Sequence, residues 1–239
     1  MHAVFVPEID AEDCMMAAHV RNYGRAQAAL VSLGAALCLM LVACSPPNER
    51  QKAEAPAAAK DERVPEVFQV NLDTSKGPVA IEVRRAWAPR GADHFYSLVK
   101  TGFYDGNRFF RVVRNFVAQF GISGDPQLNR LWANANLPDD PVKQSNVKGT
   151  LTYAHLGPNS RSTQLFINLK DNKTLDKQGF APIGKVISGM ETVERFYSSY
   201  GEMAPRGQGP DPSQIEAQGN AYLENHFARL DYINKAAIQ

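Results

Sequence analysis

Residues 103–121 read FYDGNRFFRVVRNFVAQFG. A turn at Tyr104-Asp105-Gly106-Asn107 opens into a run rich in Phe and Val that carries one arginine, Arg111, inside it. The run breaks at Arg114-Asn115 and resumes with Phe116, Val117 and Gln119. Strong β-formers bounded by Asp-Gly and Asn predict two short strands meeting at a corner. Side chains alternate along a strand, so Val117 and Gln119 are expected on one face. An apolar floor with one guanidinium and one carboxamide above it suits a peptide-binding groove better than a metal or phosphate site.

On the N-terminal side of this stretch, residues 67–73 alternate in hydrophobicity, a Ser75-Lys76-Gly77 turn follows, and residues 79–83 alternate again. The pair reads as a hairpin. Pro89 then starts a helix with Ala92, Phe95, Tyr96 and Val99 on one side and Gly102 just past its end. On the C-terminal side, residues 122–148 are rich in Gly, Pro, Asn and Asp and predict a long surface excursion bordering a site. Residues 151–154, 164–169 and 181–187 read as strands. Ser188 and Glu191 match a capping box for a helix with Met190, Val193, Phe196 and Tyr200 inward and Gly201 as its stop. After a Gly/Pro loop at 205–212, Asp211-Pro212 would cap an extra C-terminal helix running to about Phe227, although Gly219 inside it is unfavourable by about 1 kcal/mol. Residues 230–238 would supply a closing strand. Many short strands without a βαβ rhythm predict a mainly β chain, an antiparallel barrel capped by helices.

Composition narrows the chemistry. Lys and Arg number 26 against 25 Asp and Glu, so no basic field favours nucleic acid as the main partner. The three cysteines, Cys14, Cys38 and Cys44, all lie in the first fifth of the chain. A disulfide framework or thiolate zinc site is therefore not expected beyond Cys44. The five histidines have no ligand-like spacing, so neither a metal nor a cofactor is expected.

The first residues are acidic (Glu8, Asp10, Glu12, Asp13), but from Met15 or Met16 the pattern changes. Arg21 and Arg25 form a basic region, and residues 28–42 are an almost unbroken apolar run ending in Leu41-Val42-Ala43-Cys44. The run is short for a transmembrane helix, and no basic stop-transfer cluster follows closely. A signal peptide over residues 1–43 is expected, with translation starting at Met15 or Met16. Residues 41–44 resemble a bacterial lipobox, which implies lipidation at Cys44 and stable membrane anchoring through its acyl chains. Residues 45–64 are rich in Pro, Ala and charge and cannot bury enough surface to fold. As a tether of about twenty residues they would reach on the order of 25 Å. The folded domain is expected from residue 65 to 239, as a monomer on the extracytoplasmic side.

Three separated blocks, NRFFRVVRNFVAQFG, GTLTYAHLGPNSRSTQLFINL and LDKQGFAPIGKVISGMETVE, together resemble the cyclophilin-type peptidyl-prolyl isomerases in order and spacing. The resemblance implies a closed eight-stranded antiparallel barrel with helices over its ends. It places the catalytic arginine at Arg111 and the proline-ring pocket at Phe116, Val117, Phe166 and Leu175. The backbone-holding amide falls on Gln119, and the next subsite on Ala154, His155 and Gln164. Several positions depart from the family pattern. Phe110 stands where many relatives have His, Val117 where they have Met, and Phe120 where Gly is common. His155 occupies a usual Asn position, and Thr174 stands where cyclosporin-sensitive relatives carry Trp. A second pocket histidine has no match near Gly179-Phe180.

These residues suit the implied reaction. Rotation about an X-Pro bond faces a barrier of roughly 18–20 kcal/mol and takes tens to hundreds of seconds unaided. A catalyst must favour the twisted amide, whose pyramidal nitrogen accepts a hydrogen bond. An always-charged guanidinium can hold the proline carbonyl and place a donor near that nitrogen. An acceleration of about three decades corresponds to ~4 kcal/mol, within reach of one charge-assisted donor plus ring fixation. The expected partners are proline-containing segments of exported proteins. A competing expectation is a chaperone or scaffold that binds such segments with little turnover.

Overall fold

The structure is a computed structural model that describes residues 63–239. The expected signal peptide, Cys44 and all but the last two residues of the expected tether lie outside the described residues. Hydrophobic alternation builds the first hairpin, β1 (Val67–Thr74) and β2 (Gly77–Arg84), with Val70, Leu72, Ile81 and Val83 inward and fully buried. Helix α1 (Pro89–Lys100) starts on Pro89 and buries Ala92, Phe95, Tyr96 and Val99 as their spacing predicts. β3 (Arg111–Val113) and β4 (Val117–Phe120) form the predicted corner, and Asn115 turns it at a φ of 56°. Helix α2 (Pro126–Trp132) follows, then β5 (Thr150–Tyr153), β6 (Leu165–Asn168), a 3-10 turn at Lys173–Gln178 and β7 (Pro182–Ser188). The chain ends with α3 (Met190–Glu194), α4 (Pro212–Gln218), α5 (Asn220–His226) and β8 (Ile233–Ile238).

All eight strands join one antiparallel sheet in the order β3-β4-β6-β5-β7-β2-β1-β8. The closed barrel expected from the sequence is found as a curled, open half-barrel, because no ladder joins β3 to β8. Instead β8 meets the segment before β3. Gly106 N–H donates to Ile233 O, Ile233 N–H to Asn107 O, and Phe109 N–H to Asp231 O. The edge of β3 is partly taken by Gly201, which bridges to Val112.

Three further expectations are corrected. Residues 122–148 are not wholly irregular: Asp125 accepts from Gln127 N–H and starts α2. The Ser188 capping box does not form. Gly189 precedes α3 in the left-handed region (φ 84°), with no room for a Cβ against Pro78 O, and the helix ends at Glu194. The extra C-terminal helix is two helices. Asp211 caps α4 as predicted, but Gly219 (φ 61°, ψ −144°) breaks the run where a Cβ would lie 2.0 Å from Gly124 O. Glycine is required there, so the chain turns instead of continuing.

Two apolar interiors result. The larger lies inside the half-barrel and under α1, and includes Phe109, Ala118, Phe120, Leu151, Leu165 and Ile167. The smaller joins Phe110 and Ile122 to Ile215, Leu223 and Leu230 of the C-terminal segment. Successive residues thus diverge: Phe109 stacks on Phe196 at 4.0 Å in the main core, and Phe110 anchors the α4–α5 appendage. Neither Phe110 nor Phe120 belongs to the groove cluster.

Candidate active site

Strand alternation brings the predicted residues onto the outer face of β3, β4 and β6. Arg111 pairs in register with Gln119, and Gln119 with Phe166. Residues of opposite parity, Val112, Ala118, Phe120, Leu165 and Ile167, fill the interior. Val117 and Phe166 instead form a third apolar cluster with Leu175 and Phe180, against which Phe116 and Ala154 pack. Leu175 arrives on the 3-10 turn, which a polar network fastens to the sheet. Asp176 accepts from Ser145 Oγ, Asn146 N–H and Asn146 Nδ2, and Asn172 Nδ2 donates to Asn168 Oδ1 and to Phe116 O. Burial alone would raise the Asp176 carboxyl, but the Ser145 and Asn146 hydrogen bonds, with Lys173 nearby, hold it below its ordinary value.

Arg111 lies beside this cluster, a buried residue at 2% exposure, with its guanidinium carbon 5.3 Å from the centre of the Phe116 ring. Nη1 donates to Gln119 Oε1 at 3.0 Å, and Gln119 Nε2 donates to Gln164 Oε1 at 3.0 Å. On the other edge, Nε and Nη2 donate to the two oxygens of Glu202 at 2.9 and 2.8 Å. A buried guanidinium needs such partners, because an unpaired charge out of water is strongly destabilising. The backbone of Ala154 is tied to Gln164 through Ala154 N–H to Gln164 O. His155 stacks on Phe180 at 3.9 Å, and its Nδ1 accepts from Gly157 N–H. Burial holds the imidazole below the ordinary histidine value, opposed by Asp139 and aided by Arg161. His155 thus stands as a wall of the cluster, stacked on Phe180.

The nine predicted groove residues, from Arg111 through Leu175, are thus brought together by hydrogen bonds, backbone pairing, ring contacts and the apolar cluster. Sequence reasoning missed two neighbours. Phe180 occupies the place where no second histidine could be matched, and its aromatic character after Gly179 was the available signal. Glu202 lies 91 residues from Arg111 in a Gly/Pro loop, and no local pattern marks it. Among the described residues no cluster of His, Cys, Asp and Glu could hold a metal ion.

A family model described as cyclophilin type peptidyl-prolyl cis-trans isomerase/CLD matches residues 68–214, more than half of the chain. The chain belongs to the cyclophilin-type isomerase family. Among its relatives in that family, a peptidyl-prolyl cis-trans isomerase of Acinetobacter baylyi is 35% identical over 132 residues, covering 53% of this chain and 70% of the relative. A probable peptidyl-prolyl cis-trans isomerase of Brucella abortus is 32% identical over 157 residues, covering 61% and 79%. A crystal structure of a Cryptosporidium parvum cyclophilin superposes with a TM-score of 0.51 at 20% identity, over 72% of this chain and 98% of that one. The same cyclophilin was also solved in the presence of the dipeptide Ala-Pro, with a TM-score of 0.51 at 21% identity to this chain. At that identity the likeness speaks for the cyclophilin fold alone. The family match ends at Gln214, so α5 and β8 lie beyond it.

Proposed function

We propose that this chain is a peptidyl-prolyl cis-trans isomerase that acts on proline-containing segments of exported proteins while tethered to a membrane. The observation that carries the reading is the placement of Arg111. A buried guanidinium, braced by Gln119, stands beside an apolar cluster of Phe116, Val117, Phe166 and Leu175. A proline ring held on that cluster puts its carbonyl and nitrogen within reach of one fixed cation. The preceding residue rotates against the Ala154, His155 and Gln164 side. Rotation breaks no covalent bond, so donor placement at the twisted amide is the main requirement.

A protease-coupled assay on a short X-Pro peptide with the purified full chain tests the activity. The wild type is expected to exceed the uncatalysed rate, and Arg111→Ala to lose most of the gain. A wild-type rate equal to the background would favour binding without turnover. The tether rests on the apolar run at 28–42 and on the Leu41–Val42–Ala43–Cys44 sequence. Mass spectrometry of the mature N-terminus is expected to find a lipidated Cys44. Unmodified cysteine, or retained residues 33–42, would refute the anchor. The monomeric state is open to the same preparation by light scattering.

A further inference from the structure

We propose that Glu202 is a positioning residue for Arg111, so that the loop of residues 200–210 is part of the isomerase site. The inference rests on the isomerase reading above and adds a residue to it. A guanidinium sits on a long side chain, and catalysis by a donor at a twisted amide requires its plane to be fixed before substrate arrives. The Gln119 bond fixes one end, at Nη1. The side-on carboxylate of Glu202 fixes the opposite edge, at Nε and Nη2, through two parallel charge-assisted bonds. The Phe116 ring lies 5.3 Å from the guanidinium carbon as a third restraint.

The loop is built to hold that carboxylate. Gly201 bridges to Val112, the residue next to Arg111 on β3. Gly209 N–H donates to Glu202 O at 2.8 Å, and Gly207 N–H to Met203 O at 2.9 Å. Both glycines press so closely on the Glu202 backbone that a Cβ on either would fall within 2.6 Å of Glu202 O. The flanking Tyr200 and Met203 pack on the Phe110–Ile215–Leu223 cluster. The C-terminal appendage therefore has a physical route to the arginine: Phe110 anchors the cluster, the cluster seats the loop, and the loop presents the carboxylate.

The test measures kcat and KM separately on an X-Pro peptide for the full-length wild type, Glu202→Ala, Glu202→Gln, Arg111→Ala and the Arg111→Ala/Glu202→Ala pair. Removing a bidentate charge-assisted contact is expected to lower kcat on the order of tenfold for Glu202→Ala, with KM nearly unchanged. Glu202→Gln keeps the shape of the loop but sets an amide N–H₂ against an arginine donor, so its kcat is expected to fall severalfold at an unchanged melting temperature. In the Arg111→Ala background the Glu202 substitution is expected to have no further effect. The Arg111 Nε–H signal in the NMR spectrum is expected to be protected from solvent exchange in the wild type and to lose that protection in Glu202→Ala. A Glu202→Ala enzyme as fast as or faster than wild type, while Arg111→Ala is inactive, would overturn the positioning role and leave the isomerase reading intact. An equal loss in the Arg111→Ala background would also overturn it, in favour of a structural role. An Arg111→Ala enzyme of wild-type rate would instead remove Arg111 from the catalysis, and only a wild-type rate equal to the background would remove the isomerase reading itself.

Discussion

The groove face and the C-terminal appendage both converge on Arg111, but they reach it by different physics. On the groove face, neighbours in space are neighbours in register: Arg111 opposite Gln119, and Gln119 opposite Phe166. The pleat sends these outward while Ala118 and Ile167 go in, so one sheet builds the core and the groove. The appendage has no ladder to the groove face beyond the single Gly201 bridge to Val112. It is held by a small apolar cluster and by backbone hydrogen bonds such as Asn220 N–H to Gly124 O. A sheet face is over-determined by many cooperative bonds. A docked loop depends on a few contacts and can vary without disturbing the barrel.

The strongest way to probe the contrast is to empty the groove face. Phe166 is 2% exposed and touches Phe180 edge-on at 5.8 Å between centroids. Phe166→Ala is expected to lower the unfolding free energy by about 3–5 kcal/mol and to raise KM for an X-Pro peptide. Denaturant melts and steady-state kinetics check both. A variant that lost affinity at full stability would mean the cluster is not part of the packed fold.

The matching cut in the appendage is Ile215→Ala, since Ile215 is fully buried in the smaller cluster. The loss is expected to be about 2–4 kcal/mol, concentrated in local opening. Amide exchange should quicken in α4, α5 and the 200–210 loop, with β1 and β2 protected as before. Equal loosening of β1 and β2 would break the contrast and make the appendage part of the barrel's cooperative unit.

This difference also governs how much could be read from the sequence. Arg111 and Phe166 were assigned their roles in the groove only through the resemblance of three separated blocks to the family, whereas Val117 and Gln119 were legible as one face because period-two alternation fixes it. The hairpin and α1 were legible for the same local reasons. Glu202 was not, because its role is defined by a partner 91 residues away and by glycines that shape the loop only against its own backbone. Phe110 was marked as a departure where many relatives have His, and the presence of Ile215 and Leu223 beside it shows that it packs against the C-terminal segment. The Ser188–Glu191 pattern was locally sound, yet close approach of Gly189 to Pro78 overrode it. Open or closed sheet ends, likewise, depend on where β8 lands relative to residues 106–109, a long-range fact.

A smaller effect is expected at the hinge between α4 and α5. Gly219→Ala must place a Cβ against Gly124 O in a backbone region that L-residues avoid, and is expected to be destabilising by about 1–3 kcal/mol. Thermal melts measure it. A neutral outcome would show that the two helices can merge into the single helix the sequence pattern favours.

The smallest expected effect is in the response to pH, and it separates the two regions again. Burial lowers both His94 and His155, which lie against the barrel and groove, whereas in the appendage burial, with Asp211 nearby, raises the Glu216 carboxyl. A histidine whose folded pKa is depressed binds fewer protons folded than unfolded as pH falls below the unfolded value of about 6.5. Stability is therefore full at neutral pH and declines as pH drops below about 6.5. Asp176 acts in a lower window. Its depressed folded pKa contributes stability above the ordinary carboxylate range, which is lost as pH falls through that range. Urea melts across pH 4.5 to 7.5 should show the histidine slope, and His155→Asn with His94→Gln should flatten it. A slope that survives both substitutions would move the acid sensitivity away from His94 and His155.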